Sequence, residues 1–217
     1  MMDRVLVKVG LILLSIVVGS SAQAMSCTDA DIVLSADGHS YHVPLNCTSL
    51  TIDGDHPRSD LLIASLEHHP ALTELTLSRD VWRAYADGGL TLDHALALAE
   101  VLPNTLIHSL DVSFNGAFGN EGVEVLAGVL GTTKVKRLDL HSTGFGEGGM
   151  KALAAAIAKD DSHLEDLNVA RNFDFGEAAG HLVEAVKKHS KLAHINDEGT
   201  TVRACVSEES IQAPLPP

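Results

Sequence analysis

Apolar residues return along this chain in one repeated phrase: an apolar position, two variable ones, an apolar residue that is nearly always leucine, one variable position and another apolar residue. It reads Leu72-x-x-Leu75-x-Leu77, Ile107-x-x-Leu110-x-Val112, Val135-x-x-Leu138-x-Leu140 and Leu164-x-x-Leu167-x-Val169. Degenerate copies flank these at Cys47-x-x-Leu50-x-Ile52 and Leu192-x-x-Ile195. The copies that begin at 107, 135, 164 and 192 are 28, 29 and 28 residues apart. A fixed period of this size means one supersecondary unit stacked on copies of itself.

Alternation such as Leu110-x-Val112 predicts a short strand with one buried face. A polar residue, a glycine-bearing turn and a helix-period segment follow each phrase. Leu126 and Leu130, Leu153 and Ile157, and Leu182 and Val186 are each four apart, on one side of a helix. Neither the strand nor the helix can bury its apolar side alone. Stacking closes a core between a parallel sheet and an outer layer of helices. The expected fold is an α/β solenoid of about five to six repeats, with short parallel strands on the concave face and helices on the convex face.

The turns carry a more specific signature. Asn115-Gly116-Ala117-Phe118-Gly119-Asn120-Glu121-Gly122 and Thr143-Gly144-Phe145-Gly146-Glu147-Gly148-Gly149 each lead from a strand phrase into an L-x-x-x-L helix. This combination resembles leucine-rich repeats of the ribonuclease-inhibitor type, over roughly residues 47–199. The resemblance implies a module that acts by presenting surface. The family includes inhibitors, Ran GTPase-activating proteins and sensor arms of innate-immune receptors, so a GTPase-activating or enzyme-inhibitor module is the alternative it implies. The ladder position that holds Asn115 and Asn172 is Asp55, Asp80 and Thr143 in the other copies, so backbone groups there must be satisfied differently.

The period breaks once. Asp80 to Leu98 is 18 residues where Asn115 to Leu126 is 11, an insertion within Val81 to Leu90 on the rim where strand passes to helix. It brings Trp82, Arg83 and Tyr85, and Trp82 is the only tryptophan. These residue types are enriched at interface hot spots, which makes the 81–90 loop a candidate contact site or else a cover over the short first repeat. The concave face is the second candidate. Its positions include Asp111, Asp139 and Asn168, then His141, with Arg137, Arg171 and Phe114 standing out in a polar, mildly acidic surface. Together with the loop these are the expected partner-binding residues.

The ends and the charge refine the reading. Arg4 and Lys8 precede an apolar run from Val9 to Val18, and Ala22-Gln23-Ala24 supplies a small-residue cleavage site, so residues 1–24 read as a secretory signal peptide. Residues 25–46 then form an N-terminal cap, 47–199 the repeats, and 200–217 a flexible tail. The expected product is secreted, without membrane insertion after cleavage. The formal charge of -14 disfavours nucleic acid and leaves a protein as the expected partner. In an exported chain with three cysteines, Cys27 and Cys47 are the pair close enough in sequence to bridge, fastening the cap. Cys205 is left free or linked to another chain, as in a disulfide-linked surface or wall component. Asn46, in Asn46-Cys47-Thr48, is the glycosylation candidate, though its sequon overlaps the bridge.

Three motifs suggest chemistry and fall to the repeat. Gly144 to Gly149 satisfies G-x-G-x-x-G, but sibling turns lack the pattern and Glu147 would repel a pyrophosphate. Ser113, Asp139 and His141 suggest a triad, yet equivalent positions on adjacent strands face one way by construction, and no nucleophile elbow surrounds Ser113. No catalytic residues are assigned. Among 12 histidines, His68 and His69 are adjacent on an expected helix and so point apart, while His69 and His189 fall at equivalent helix ends. No metal or cofactor is expected.

Overall fold

The computed structural model describes residues 23–80, 88–159, 161–189 and 191–200. Seven parallel strands form one sheet. They are β1 (Met25–Thr28), β4 (Cys47–Thr51), β5 (Glu74–Thr76), β6 (Ser109–Asp111), β7 (Arg137–Asp139), β8 (Asp166–Asn168) and β9 (His194–Asn196), in that spatial order. A separate hairpin pairs β2 (Val33–Leu34) with β3 (Tyr41–His42), antiparallel. Among the described residues, five α-helices return the chain between strands: α1 (Ser59–Ala64), α2 (Leu92–Val101), α3 (Gly119–Val129), α4 (Glu147–Ile157) and α5 (Ala178–His189).

The register follows the phrase. Leu50, Leu75, Leu110, Leu138, Leu167 and Ile195 are direct partners across successive strands. All but Ile195, which is partly buried, lie in the core. Each leucine so buried contributes about 1.5–3 kcal/mol. Helix residues Leu98, Leu126, Leu153 and Leu182 close the core from the other side. A second line of large residues, Leu90, Phe118, Phe145 and Phe175, fills the space under the strand-to-helix turns, and the rings of Phe145 and Phe175 stack with centroids 5.1 Å apart.

The segment expected as a cap contributes a strand to the sheet. Met25–Thr28 pairs in parallel with β4 and extends the sheet by one strand. Cys27 and Cys47 meet at disulfide distance, with Cα atoms 5.9 Å apart. Tyr41 N–H donates to Ser65 Oγ at 2.8 Å, and the buried His69 ring reaches Pro44 O through Nε2 at 3.0 Å. Leu72 N–H donates to His69 Nδ1 at 3.1 Å, and because a carbonyl only accepts, the ring carries its proton on Nε2. This corrects the helical placement of the histidine pair. Helix α1 ends at Ala64, His68 stands in a left-handed turn with φ 60, and His69 is a buried link between cap and first repeat.

The ladder position is satisfied in three ways. Asn115 is fully buried; its Nδ2 donates toward Leu77 O, Val112 O and Ser113 O, and its Oδ1 accepts Leu90 N–H at 3.0 Å. Asn172 repeats this, with Thr143 N–H and Gly144 N–H as donors. Thr143, one repeat earlier, uses its hydroxyl on Leu140 O at 2.8 Å. At the N-terminal copies the position is charged instead. Asp55 faces the buried Arg79 at 3.0 Å, an ion pair that the repeat phrase did not reveal. Gly89, at φ +80, lies so close over Arg79 that an added Cβ would stand 2.6 Å from Arg79 Cδ.

Candidate functional site

Alternation decides which side chains leave the sheet on its concave side. With the central leucines turned inward, both flanking positions of each strand face outward. One row is Glu74, Ser109, Arg137, Asp166 and His194; the other is Thr76, Asp111, Asp139, Asn168 and Asn196. Between them runs an open cavity of about 340 Å³, spanning β5 to β9 and lined by nearly all of these residues. Of the expected contact residues, the fold brings Asp111, Arg137, Asp139 and Asn168 into this one cavity. Asp166 and His194 line it with them and were not among the expected residues.

Arg137 spans two strands. Its Nη2 donates to Glu74 Oε1 at 3.2 Å and its Nε to Ser109 Oγ at 3.4 Å. Both ionic side chains are about half exposed, so the pair adds under about 1 kcal/mol and can be exchanged for another partner cheaply. A second open cavity, about 370 Å³, continues from Arg137 to the strand entrances, where Lys136 pairs with Glu165 at 2.7 Å.

The second row has a structural duty. Asp111 Oδ1 accepts Ser113 N–H and Asp139 Oδ1 accepts His141 N–H, each at 2.8 Å. Asn168 and Asn196 do the same for Ala170 and Glu198. These bonds turn the chain off each strand, which explains why the position is Asp or Asn in four successive copies. Asp139 also accepts Asn168 Nδ2–H through its second oxygen at 2.9 Å. Burial pushes the Asp111 carboxyl above the usual range; its bonds from Ser113 oppose this, the Asp139 charge adds to it and His141 works against it.

Phe114 and Arg171 lie off the concave strands, each two residues beyond the last apolar residue of its phrase and at φ 60 and 53. Phe114 packs its ring against His141, centroids 4.8 Å apart. Trp82, Arg83, Tyr85 and Cys205, like residues 1–22 of the expected 1–24 signal peptide, lie outside the described residues. The loop's stem is described: Gly88 and Gly89 lie over Asp55 and Arg79, on the rim beside the first repeats. Asn46 is half-buried and its Nδ2, the atom a glycan would take, donates to Gln23 O at 3.2 Å; Thr48 Oγ1 donates to Met25 O.

The geometry also accounts for the motifs. Asn120 Oδ1, from the preceding helix, accepts both Gly146 N–H and Gly149 N–H, while Asn172 takes Gly144 N–H. The donors a phosphate would need in that glycine turn are already engaged. Asp139 bonds the backbone of His141 rather than its ring. Among the described residues no group of three His, Cys, Asp or Glu side chains is arranged to hold a metal.

A family model described as leucine-rich repeat matches residues 104–127, which run from the end of α2 through β6 into α3. The seven-stranded parallel sheet with its helices has the architecture of a leucine-rich-repeat solenoid. Among solved structures, this solenoid is similar to leiomodin-1 actin-binding site 2, with a TM-score of 0.44 and 16% identity. The likeness covers 50% of this chain and 64% of that one, so it spans less than two thirds of its neighbour. No curated protein matches the chain.

Proposed function

We propose that this leucine-rich-repeat chain is an exported binding module of the ribonuclease-inhibitor type, which recognises a protein partner through its concave strands and the 81–90 rim loop. The observation that carries the reading is the open polar cavity across β5 to β9. A sheet face whose outward side chains are polar, and whose Arg137 is held by an exchangeable pair with Glu74 and a hydrogen bond to Ser109, suits reversible contact with a partner. The period of 28 to 29 residues and the helices of 10 to 12 residues in α2 to α5 support the ribonuclease-inhibitor type. Export rests on the charged, apolar and small-residue succession of residues 1–24, and the Cys27–Cys47 pair fits an oxidising compartment.

The test is capture from the extracellular medium with the tagged chain, against two variants. One replaces Trp82, Arg83 and Tyr85 with alanine; the other is Arg137→Glu. Each loses the partner while keeping the wild-type urea midpoint. If both variants hold the partner as the parent does, the proposed site is wrong. If the loop variant instead fails to fold, the loop is a cover and the concave face stands alone.

A further inference from the structure

We infer that Asn115 is a self-modification site: the chain deamidates there whenever the surrounding turn opens, and the folded stack of repeats holds the reaction shut. Asn115-Gly116 is the only Asn-Gly pair in the sequence. Asparagine is thermally labile, and glycine sets no side chain in the way of its own nitrogen. In the reaction the Gly116 backbone nitrogen gives up its proton and attacks Asn115 Cγ, closing a cyclic imide. The bond from Cγ to Nδ2 breaks, and the amide leaves with that proton as ammonia. Water then opens the ring at either carbonyl and leaves aspartate or isoaspartate.

The native turn holds the amide away from its attacker. Nδ2 donates back to Val112 O at 2.8 Å and Ser113 O at 3.0 Å, and across to Leu77 O at 2.9 Å, while Oδ1 accepts Leu90 N–H at 3.0 Å. Every one of these partners precedes Asn115 in the chain, and none lies on the Gly116 side. The peptide that follows is held as well. Asn115 O accepts Phe118 N–H at 2.9 Å, and Gly116 O lies against Gly144 of the next repeat with no space for a side chain between them. Asn115 is fully buried, which keeps out the water that ring opening needs. Asn172 makes the same kind of bonds but precedes Phe173, whose side chain crowds the attacking nitrogen, so it serves as an internal control. The change at Asn115 does not reverse. Aspartate still accepts Leu90 N–H, yet it has no hydrogen to give the carbonyls of Leu77, Val112 and Ser113, and isoaspartate also lengthens the backbone. A chain that stays open long enough therefore cannot rebuild this junction.

The test incubates the full-length chain, disulfide intact, at mildly alkaline pH with and without urea above its unfolding midpoint. Peptide mass spectrometry then reads the conversion of amide to acid at each asparagine. Asn115 converts about a hundredfold more slowly in the folded chain, because opening must first break three hydrogen bonds. Asn172 keeps its amide in both samples. Gly116→Ala loses most of the conversion in urea, a readout taken on unfolded chains and so independent of whether the variant folds. On dilution from urea the converted chains are missing from the folded fraction. Equal rates with and without urea overturn the gating by the fold. Conversion of Asn172 as fast as Asn115 in urea, or an unchanged rate in Gly116→Ala, overturns the site. Converted chains that refold with the parent's urea midpoint overturn the irreversibility.

Discussion

Replacing Asn115 tests how the stack is held together. One amide there joins three parts of the chain: Leu77 just past β5, the end of its own strand phrase at Val112 and Ser113, and Leu90 at the foot of the rim loop. The amide has two hydrogens and one strongly accepting oxygen, so at full strength it supplies two donated bonds and one accepted. Alanine removes all three, at about 1 kcal/mol each, and leaves Leu90 N–H without its acceptor. The expected loss is about 3 kcal/mol. Threonine keeps one donated bond, as Thr143 does to Leu140 O in the next repeat, and should cost about 1–2 kcal/mol. Aspartate is the harshest change despite its similar shape, because it sets a carboxylate against three carbonyl oxygens. Urea unfolding with the disulfide intact measures the series, at constant slope with denaturant. An alanine variant within about 0.5 kcal/mol of the parent, or an aspartate variant milder than threonine, would refute the reasoning.

Asp55→Ala removes a hydrogen-bonded carboxylate from Arg79, which is only 1% exposed, and should lower the unfolding midpoint clearly, whereas removing the half-exposed Glu74 should leave it nearly unmoved. Gly149→Ala places a methyl 2.8 Å from the Phe145 ring and 3.1 Å from Val123, so about 1–3 kcal/mol of overpacking is expected in thermal or urea unfolding. His94 caps α2 by accepting Thr91 N–H, and burial holds its protonation below the ordinary value of 6.5, against the opposing charges of Asp60 and Asp93. The unfolded chain then binds the proton more readily, so this part of the stability is intact above about pH 6.5 and is lost as pH falls below it. His94→Gln keeps a cap-forming side chain and should remove that pH dependence; parallel curves for parent and variant between pH 7 and 5 would contradict the assignment.

The strand positions and the helix faces were legible because burial on one side imposes a periodicity of its own. Leu75, Leu110, Leu138 and Leu167 pair as the phrase aligns them. The concave cavity was half legible. Alternation exposes both neighbours of each leucine, yet attention to the end of the phrase selects Asp111 and Asp139 and passes over Asp166 and His194. Other features lie in contacts between repeats, which a single period does not contain. Asn120 caps the helix of the following repeat, across 26 residues to Gly146. Arg79 reaches back 24 residues to Asp55, where polarity alone suggested a degenerate ladder. Strand β1 escaped because Met25-Ser26-Cys27-Thr28 carries no leucine; its place is fixed by pairing to β4 and by the Cys47 contact.

The central claim is that partner recognition occurs on the concave strands, and blocking that face alone tests it. Ser109 lies within the cavity, and Ala155 is exposed on the outer side of α4. Ser109→Trp and Ala155→Trp add the same bulk to opposite faces. Quantitative capture from the extracellular medium with each folded variant should show the partner lost with Ser109→Trp and retained with Ala155→Trp. Retention by Ser109→Trp together with loss by Ala155→Trp would contradict the account and move the interface to the helices.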